Sequence, residues 1–126
     1  MDRKAIFPVG RAAPLAPYSP GIRFGTLLFT AGAVGTDPEG KVPADIRAQT
    51  RNTMDNLRAV LQAAGSDFEH VLKTTVYLTD MQDFAAMNEV YRSYFTGDLP
   101  ARTTVGVVAL ARPELRVEIE MVAAVP

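Results

Sequence analysis

The sequence predicts an α+β domain built as one mixed β-sheet with two helices on a single face. Two observations carry this. Two stretches repeat apolar residues at three- and four-residue steps, the rhythm of amphipathic helices, while four others have the β-branched content or two-residue alternation of strands. Their order, β, α, β, α, β, β, fits one sheet with one helical layer. The chain has 126 residues, enough for one domain with one modest core, so residues 1–126 are read as a single unit.

Ile22–Thr30 reads as a strand pair broken at Gly25-Thr26, a hairpin. The glycines of "AGAVGTDPEG" do not have dinucleotide or P-loop spacing and are assigned to turns and close packing. Asp45–Ala64 is the clearest helix. Ile46, Thr50, Thr53, Leu57, Val60, Leu61 and Ala64 form its inner stripe, Asp45 can cap its start, and Gly65 suits the left-handed position after its end. Val71–Thr79 is the next strand. The second helix is expected from Met81 to Phe95, with Asp80 as N-cap, Phe84, Met87, Tyr91 and Phe95 inward, and Gly97 and Pro100 as stops. Strands follow at Thr103–Ala109 and Arg116–Ala124. In the last, Val117, Ile119, Met121 and Ala123 face one way and Arg116, Glu118 and Glu120 the other.

Two helices cover only one sheet face, yet Thr103–Ala109 is nearly apolar on both. The uncovered face is expected to be buried by oligomerisation, which makes subunit boundaries the places to look for a site.

Composition excludes several chemistries. There is no cysteine, hence no disulfide, thiolate metal site or cysteine nucleophile, and the single histidine, His70, rules out a His-rich metal site. His70 reads as a surface or edge residue. A formal net charge of −1 with interleaved acids and bases argues against a strong nucleic-acid binder. No apolar run approaches bilayer length, and the N-terminus lacks a signal-peptide core, so a cytoplasmic protein without a membrane partner is expected.

Four features have chemical potential. Arg102, before the apolar run, is either a carboxylate-binding fork or a solvated strand-end charge. Glu118 and Glu120 are each able to serve as an acid/base, or to form a charged outer face, and spacing does not choose between them. Asn88, four residues after Phe84, carries an amide that needs partners or a pocket. Tyr18, in "APYSPG", either lids a pocket or packs at the domain edge.

The segments "APYSPG", "LLFTAGAVGTDPEGKVPADIRAQTRNTMDNLRAVLQAAG", "VLKTTVYLTDMQDFAAMNEVYRSYF" and "PARTTVGVVALARPELRVEIEMVA" resemble the RidA/YjgF family of reactive-intermediate deaminases, from about Pro17 to Ala124. The resemblance implies a chorismate-mutase-like α+β fold, a homotrimer with clefts between subunits, and no cofactor or metal. It implies hydrolysis of 2-imino or enamine acids of the 2-aminoacrylate type to 2-keto acids and ammonia. By position, Arg102 matches the carboxylate-binding arginine and Glu118 the glutamate that positions or activates water. Tyr18 and Asn88 match pocket-lining positions, and Gly32 lies in the loop bordering the cleft. The Thr104 N–H is expected to add a further donor to the carboxylate. The family often has serine at Ala31, glutamine at Ala33 and cysteine at Thr104, departures that bear on the substrate more than on the fold.

Within this resemblance a pathway-specific aminoacrylate-type hydrolase and a non-catalytic small-molecule-binding or holdase-like protein are the alternatives. An endoribonuclease role is disfavoured by the balanced charge. One geometric condition stands out. If the last two strands made a hairpin near Pro113, Glu118 would lie about 20 Å from Arg102 at strand rise, too far to share a ligand. The family fold implies that these strands lie apart in the sheet.

Overall fold

Phe24 and Leu27 pair across a two-residue turn in which Gly25 takes φ +62° while Thr26 stays at negative φ. A glycine at the first central position is the type II′ pattern, whose twist matches that of its strands. In the computed structural model, which describes residues 2–126, this hairpin consists of β2 (Gly21–Phe24) and β3 (Leu27–Thr30). Two short strands escape the sequence reading, β1 (Arg3–Ile6) and β4 (Ala33–Val34). The remaining elements are α1 (Ile46–Ala63), β5 (Val71–Leu78), α2 (Phe84–Arg92), β6 (Ala101–Gly106) and β7 (Val117–Ala124).

The sheet order is β1-β2-β3-β7-β5-β6, with β4 also paired to β7. Only β5 and β6 run parallel, so the sheet is mixed. β5 separates β6 from β7, which removes the hairpin geometry between the last two strands. Both helices cover one face. Leu28, Val76, Leu78, Val117 and Ile119 from the sheet meet Met54, Leu57, Leu61 and Met87 from the helices, all fully buried. Each such side chain contributes about 1.5–3 kcal/mol of apolar burial.

Asp45 caps α1 by accepting the N–H groups of Arg47 and Ala48, and Gly65 follows the helix at φ +83°. The second helix is shorter than expected. Asp80 caps a 3₁₀ turn, Met81–Asp83, through the Gln82 N–H, and α2 begins only at Phe84. It ends at Arg92, before Phe95. Asp83 is drawn into a two-pronged ion pair with Arg116, whose Nη2 and Nε donate at 2.6 and 3.1 Å while Nη1 donates to the Ala44 carbonyl. Arg116 therefore leaves the charged row expected with Glu118 and Glu120 and clamps the start of α2 to the loop ahead of α1.

The two-sided apolar strand is also corrected. β6 ends at Gly106 and is an edge strand, exposing Thr103 and Val105. Alternation and register place Ile22, Phe24, Leu27, Phe29 and Val122 on the helix-free face. Phe24 and Phe29 are 47% and 46% exposed. The uncovered apolar surface lies on the β2–β3 side of the sheet.

Candidate active site

Arg102 pairs in register with Thr74, which is buried beneath the helices. Its side chain accordingly points to the helical face. There α2 offers Phe84, Met87, Asn88 and Tyr91, spaced three and four residues apart along one stripe. The guanidinium carbon lies 4.9 Å from the Tyr91 ring centroid and 5.6 Å from that of Phe84, and Nη1 is 3.9 Å from Met87 Sδ. Cation–π attraction holds the fork over this shelf. A 2.8 Å hydrogen bond between the Tyr91 and Thr74 hydroxyls fixes the ring.

Among the described residues no carboxylate pairs with Arg102. Two neighbouring polar atoms, Asn88 Oδ1 and Thr104 Oγ1, are buried without a hydrogen-bond partner. Each such orphan costs about 1–3 kcal/mol. Asn88, Tyr91, Leu99, Pro100 and Arg102 border a cavity of about 240 Å³. The Val107 N–H bonds to the Leu78 carbonyl, so strand alternation turns the Thr104 N–H away from β5 toward the free edge. A guanidinium without a carboxylate partner, an outward N–H and the Thr104 hydroxyl, which can donate, make an anion-accepting half-site, while the Asn88 amide oxygen offers an acceptor beside it.

Glu118 pairs with Tyr77, three residues along β5 from Thr74. An odd step places it on the opposite face. Two interstrand spacings and a three-residue offset put the Arg102 and Glu118 Cα atoms about 14 Å apart, with the sheet between their side chains. Arg102 and Glu118 of one chain cannot grip the same small molecule.

The surroundings of Glu118 are set by a bulge. Between the register pairs Phe29–Val122 and Ala33–Ile119, four steps on one side oppose three on the other. The Thr30 hydroxyl accepts the Met121 N–H at 2.9 Å within the bulge, and the Ala31 N–H donates to Pro20. Gly32 is thereby laid against Glu118, so closely that an added Cβ would stand 2.7 Å from the carboxyl carbon. Tyr18, Ala31 and Gly32 line a second cavity of about 200 Å³.

The structure also separates the two glutamates. Glu120 accepts a 2.8 Å hydrogen bond from the Tyr77 hydroxyl, whereas Glu118 rests on Gly32. Burial, and secondarily the charge of Glu120, pushes the Glu118 carboxyl above its ordinary value. The folded chain therefore holds this proton more tightly than the unfolded chain, and stability falls as pH rises from the ordinary carboxylate value through the raised one. Glu118→Gln is expected to unfold at a higher temperature than wild type at pH 7, with the advantage fading toward pH 4. Thermal melts at the two pH values check this, and a variant no more stable at pH 7 contradicts it.

All seven sequence-derived positions fall into two groups, Asn88, Arg102 and Thr104 in one and Tyr18, Ala31, Gly32 and Glu118 in the other. Sequence reasoning missed the aromatic shelf as part of the site, because Phe84 and Tyr91 read as helix packing. It also missed Tyr77. His70 joins neither group and sits with Glu69 on the turn Phe68–His70, beside its cap Asp67.

The fold and the two half-sites define a small α+β protein with an arginine lacking a carboxylate partner on the helical face of its sheet and a carboxyl group on the other face. The family model described as endoribonuclease L-PSP matches residues 10–125. A RutC family protein of Pyrococcus horikoshii is 46% identical over 123 residues, covering 96% of this chain and 97% of that protein. The 2-iminobutanoate/2-iminopropanoate deaminase of Mus musculus is 42% identical over 123 residues, 96% of this chain and 90% of the relative. The crystal structure of the YjgF gene product of E. coli matches with a TM-score of 0.91 at 37% identity, over 96% of this chain and 98% of that one. The chain belongs to the RidA/YjgF family.

Proposed function

We propose that this protein is a hydrolytic deaminase of 2-imino and enamine acids, releasing 2-keto acids and ammonia, and that each active site joins half-sites of two subunits in a homotrimer. The observation that supports this reading is the Arg102 fork, without a carboxylate partner among the described residues, beside the orphaned Thr104 hydroxyl. The deaminase name of the mouse relative supports the chemistry.

In each cleft, Arg102 of one subunit takes the substrate carboxylate in two parallel hydrogen bonds, with the Thr104 N–H as a third donor. Asn88 lines the same end. Glu118 of the neighbour, on Gly32, removes a proton from water as the oxygen adds to the imine carbon. The proton passes to nitrogen, the proton of the new hydroxyl follows it, the C–N bond breaks as the carbonyl forms, and ammonia leaves. A carboxyl with a raised pKa suits both proton transfers at neutral pH. The imine carbon is already electrophilic, so position and proton management suffice and the reaction proceeds without a cofactor. The apolar helix-free face supplies the surface on which subunits meet.

The test supplies 2-imino acids generated in situ by an amino-acid oxidase and follows their disappearance. The protein is expected to accelerate hydrolysis well beyond the spontaneous rate. Decay equal to that in buffer, with a 2-keto acid still bound, identifies instead a binding protein built on the same clefts.

A further inference from the structure

The cavity beside Arg102 has a second cation on its wall. Arg92 borders the same space of about 240 Å³ as Asn88, Tyr91 and Arg102. It follows Phe84 and Asn88 at four-residue steps along α2, so the three side chains leave the helix on one flank. Arg92 and Arg102 are the charged residues of this wall, and both are cations.

A basic residue in the last turn of a helix is favoured by the carbonyls there whatever its task. The acids around Arg92 say more. Glu89, one turn earlier, gives its carboxylate to Arg47 of α1. Asp98, beside the lining residue Leu99, makes no ion pair among the described residues, and neither does Arg92. Like charges bordering one space repel, and a single carboxylate on Arg102 leaves the other charge uncompensated.

A ligand with two anionic groups satisfies both. Asn88 and Arg92 stand one helical turn, about 5.4 Å, apart. The terminal carboxyl carbons of a four- or five-carbon dicarboxylic acid are about 4–5 Å apart at ordinary C–C lengths. Because both guanidinium-bearing side chains border one space, an occupant of that space can meet both.

Resting on the deaminase reading, we propose that this cavity is a subsite for a second carboxylate and that the protein favours dicarboxylic 2-imino acids, Arg102 holding the carboxylate next to the imine and Arg92 the distal one. Arg92 is a specificity-determining residue, with two parallel donors for a carboxylate. It is exposed, so water and salt screen its attraction, and a preference of about tenfold is expected.

The test measures calorimetric binding of 2-oxoglutarate and 2-oxopentanoate, which differ by a carboxylate or a methyl at the far end. Turnover of the corresponding imines, generated by oxidase from glutamate and norvaline, is followed alongside. Wild type is expected to bind 2-oxoglutarate at least tenfold more tightly and to favour the glutamate-derived imine by a similar factor in kcat/KM. Arg92→Gln should lower both ratios about tenfold. Arg92→Lys, which keeps the charge but not the fork, should retain part of them. Arg3→Gln, the same loss of charge on β1 at the opposite end of the sheet from β6, should leave them unchanged. Equal binding of the two keto acids, or a preference that survives Arg92→Gln, overturns the subsite, while turnover of either imine leaves the deaminase reading intact. A binding preference lost in Arg92→Gln, with neither imine turned over, upholds the subsite and removes the deaminase reading. No binding of either keto acid at millimolar concentration overturns the subsite as well. If a variant does not fold, the wild-type ratio still decides the first outcome.

Discussion

Arg102→Ala is expected to lower kcat/KM for imino-acid hydrolysis ~100-fold or more while the chain remains folded. Among the described residues Arg102 has no carboxylate partner, and it rests on rings that are held without it. Tyr91 keeps its bond to Thr74, and Met87 stays packed in the core. Truncation removes a cation and its cation–π contact, not a structural ion pair. What disappears is the two-pronged grip on the substrate carboxylate, and a ~100-fold loss corresponds to about 3 kcal/mol of transition-state stabilisation. Arg102→Lys should recover little, since an ammonium cannot offer two parallel donors or lie flat on Tyr91. Steady-state kinetics with a thermal melt on the same preparation separates the readings. Near-wild-type turnover by folded Arg102→Ala reduces Arg102 to a surface charge.

The second large effect is at a residue without a side chain. Gly32→Ala places a methyl where the Glu118 carboxyl lies. The obstructed atoms are the end of a flexible side chain, so Glu118 swings aside and the fold survives. A carboxylate displaced by about 1 Å is expected to cost ~100-fold in kcat. Gly35→Ala provides the contrast. Its new Cβ would stand 2.7 Å from the Cα and carbonyl oxygen of Gln49, which belong to α1 and cannot swing away. That variant should lose stability first, whereas Gly32→Ala should lose activity with little change in melting temperature. Equal activity in Gly32→Ala and wild type removes Glu118 from the reaction.

The helices were legible because several signals agreed. In α1 the apolar stripe, Asp45 and Gly65 all point to the same boundaries. α2 was misjudged at its start because Asp80 caps a 3₁₀ turn and Asp83 serves Arg116, a partner 33 residues away, and at its end because the N–H groups of Ser93, Tyr94 and Phe95 bond to carbonyls three residues back. β1 and β4 have four and two residues, too few for alternation to register. Arg102 and Glu118 were legible as residues but not as an arrangement. The face that Arg102 occupies follows from the parallel register of β5 and β6, and no local pattern encodes it. The choice between Glu118 and Glu120 likewise needed two distant contacts, Gly32 on one and Tyr77 on the other.

The central claim is that Arg102 and Glu118 of different subunits make one site. Arg102→Ala and Glu118→Gln, each nearly inactive alone, test it when unfolded together, mixed in equal amounts and refolded. A site is whole when a Glu118→Gln subunit supplies its intact Arg102 and an Arg102→Ala neighbour supplies its intact Glu118. In a randomly mixed ring that combination arises at about one quarter of the interfaces, so the mixture is expected to recover about a quarter of wild-type activity. No recovery from a mixture shown to contain hybrid oligomers contradicts the shared site.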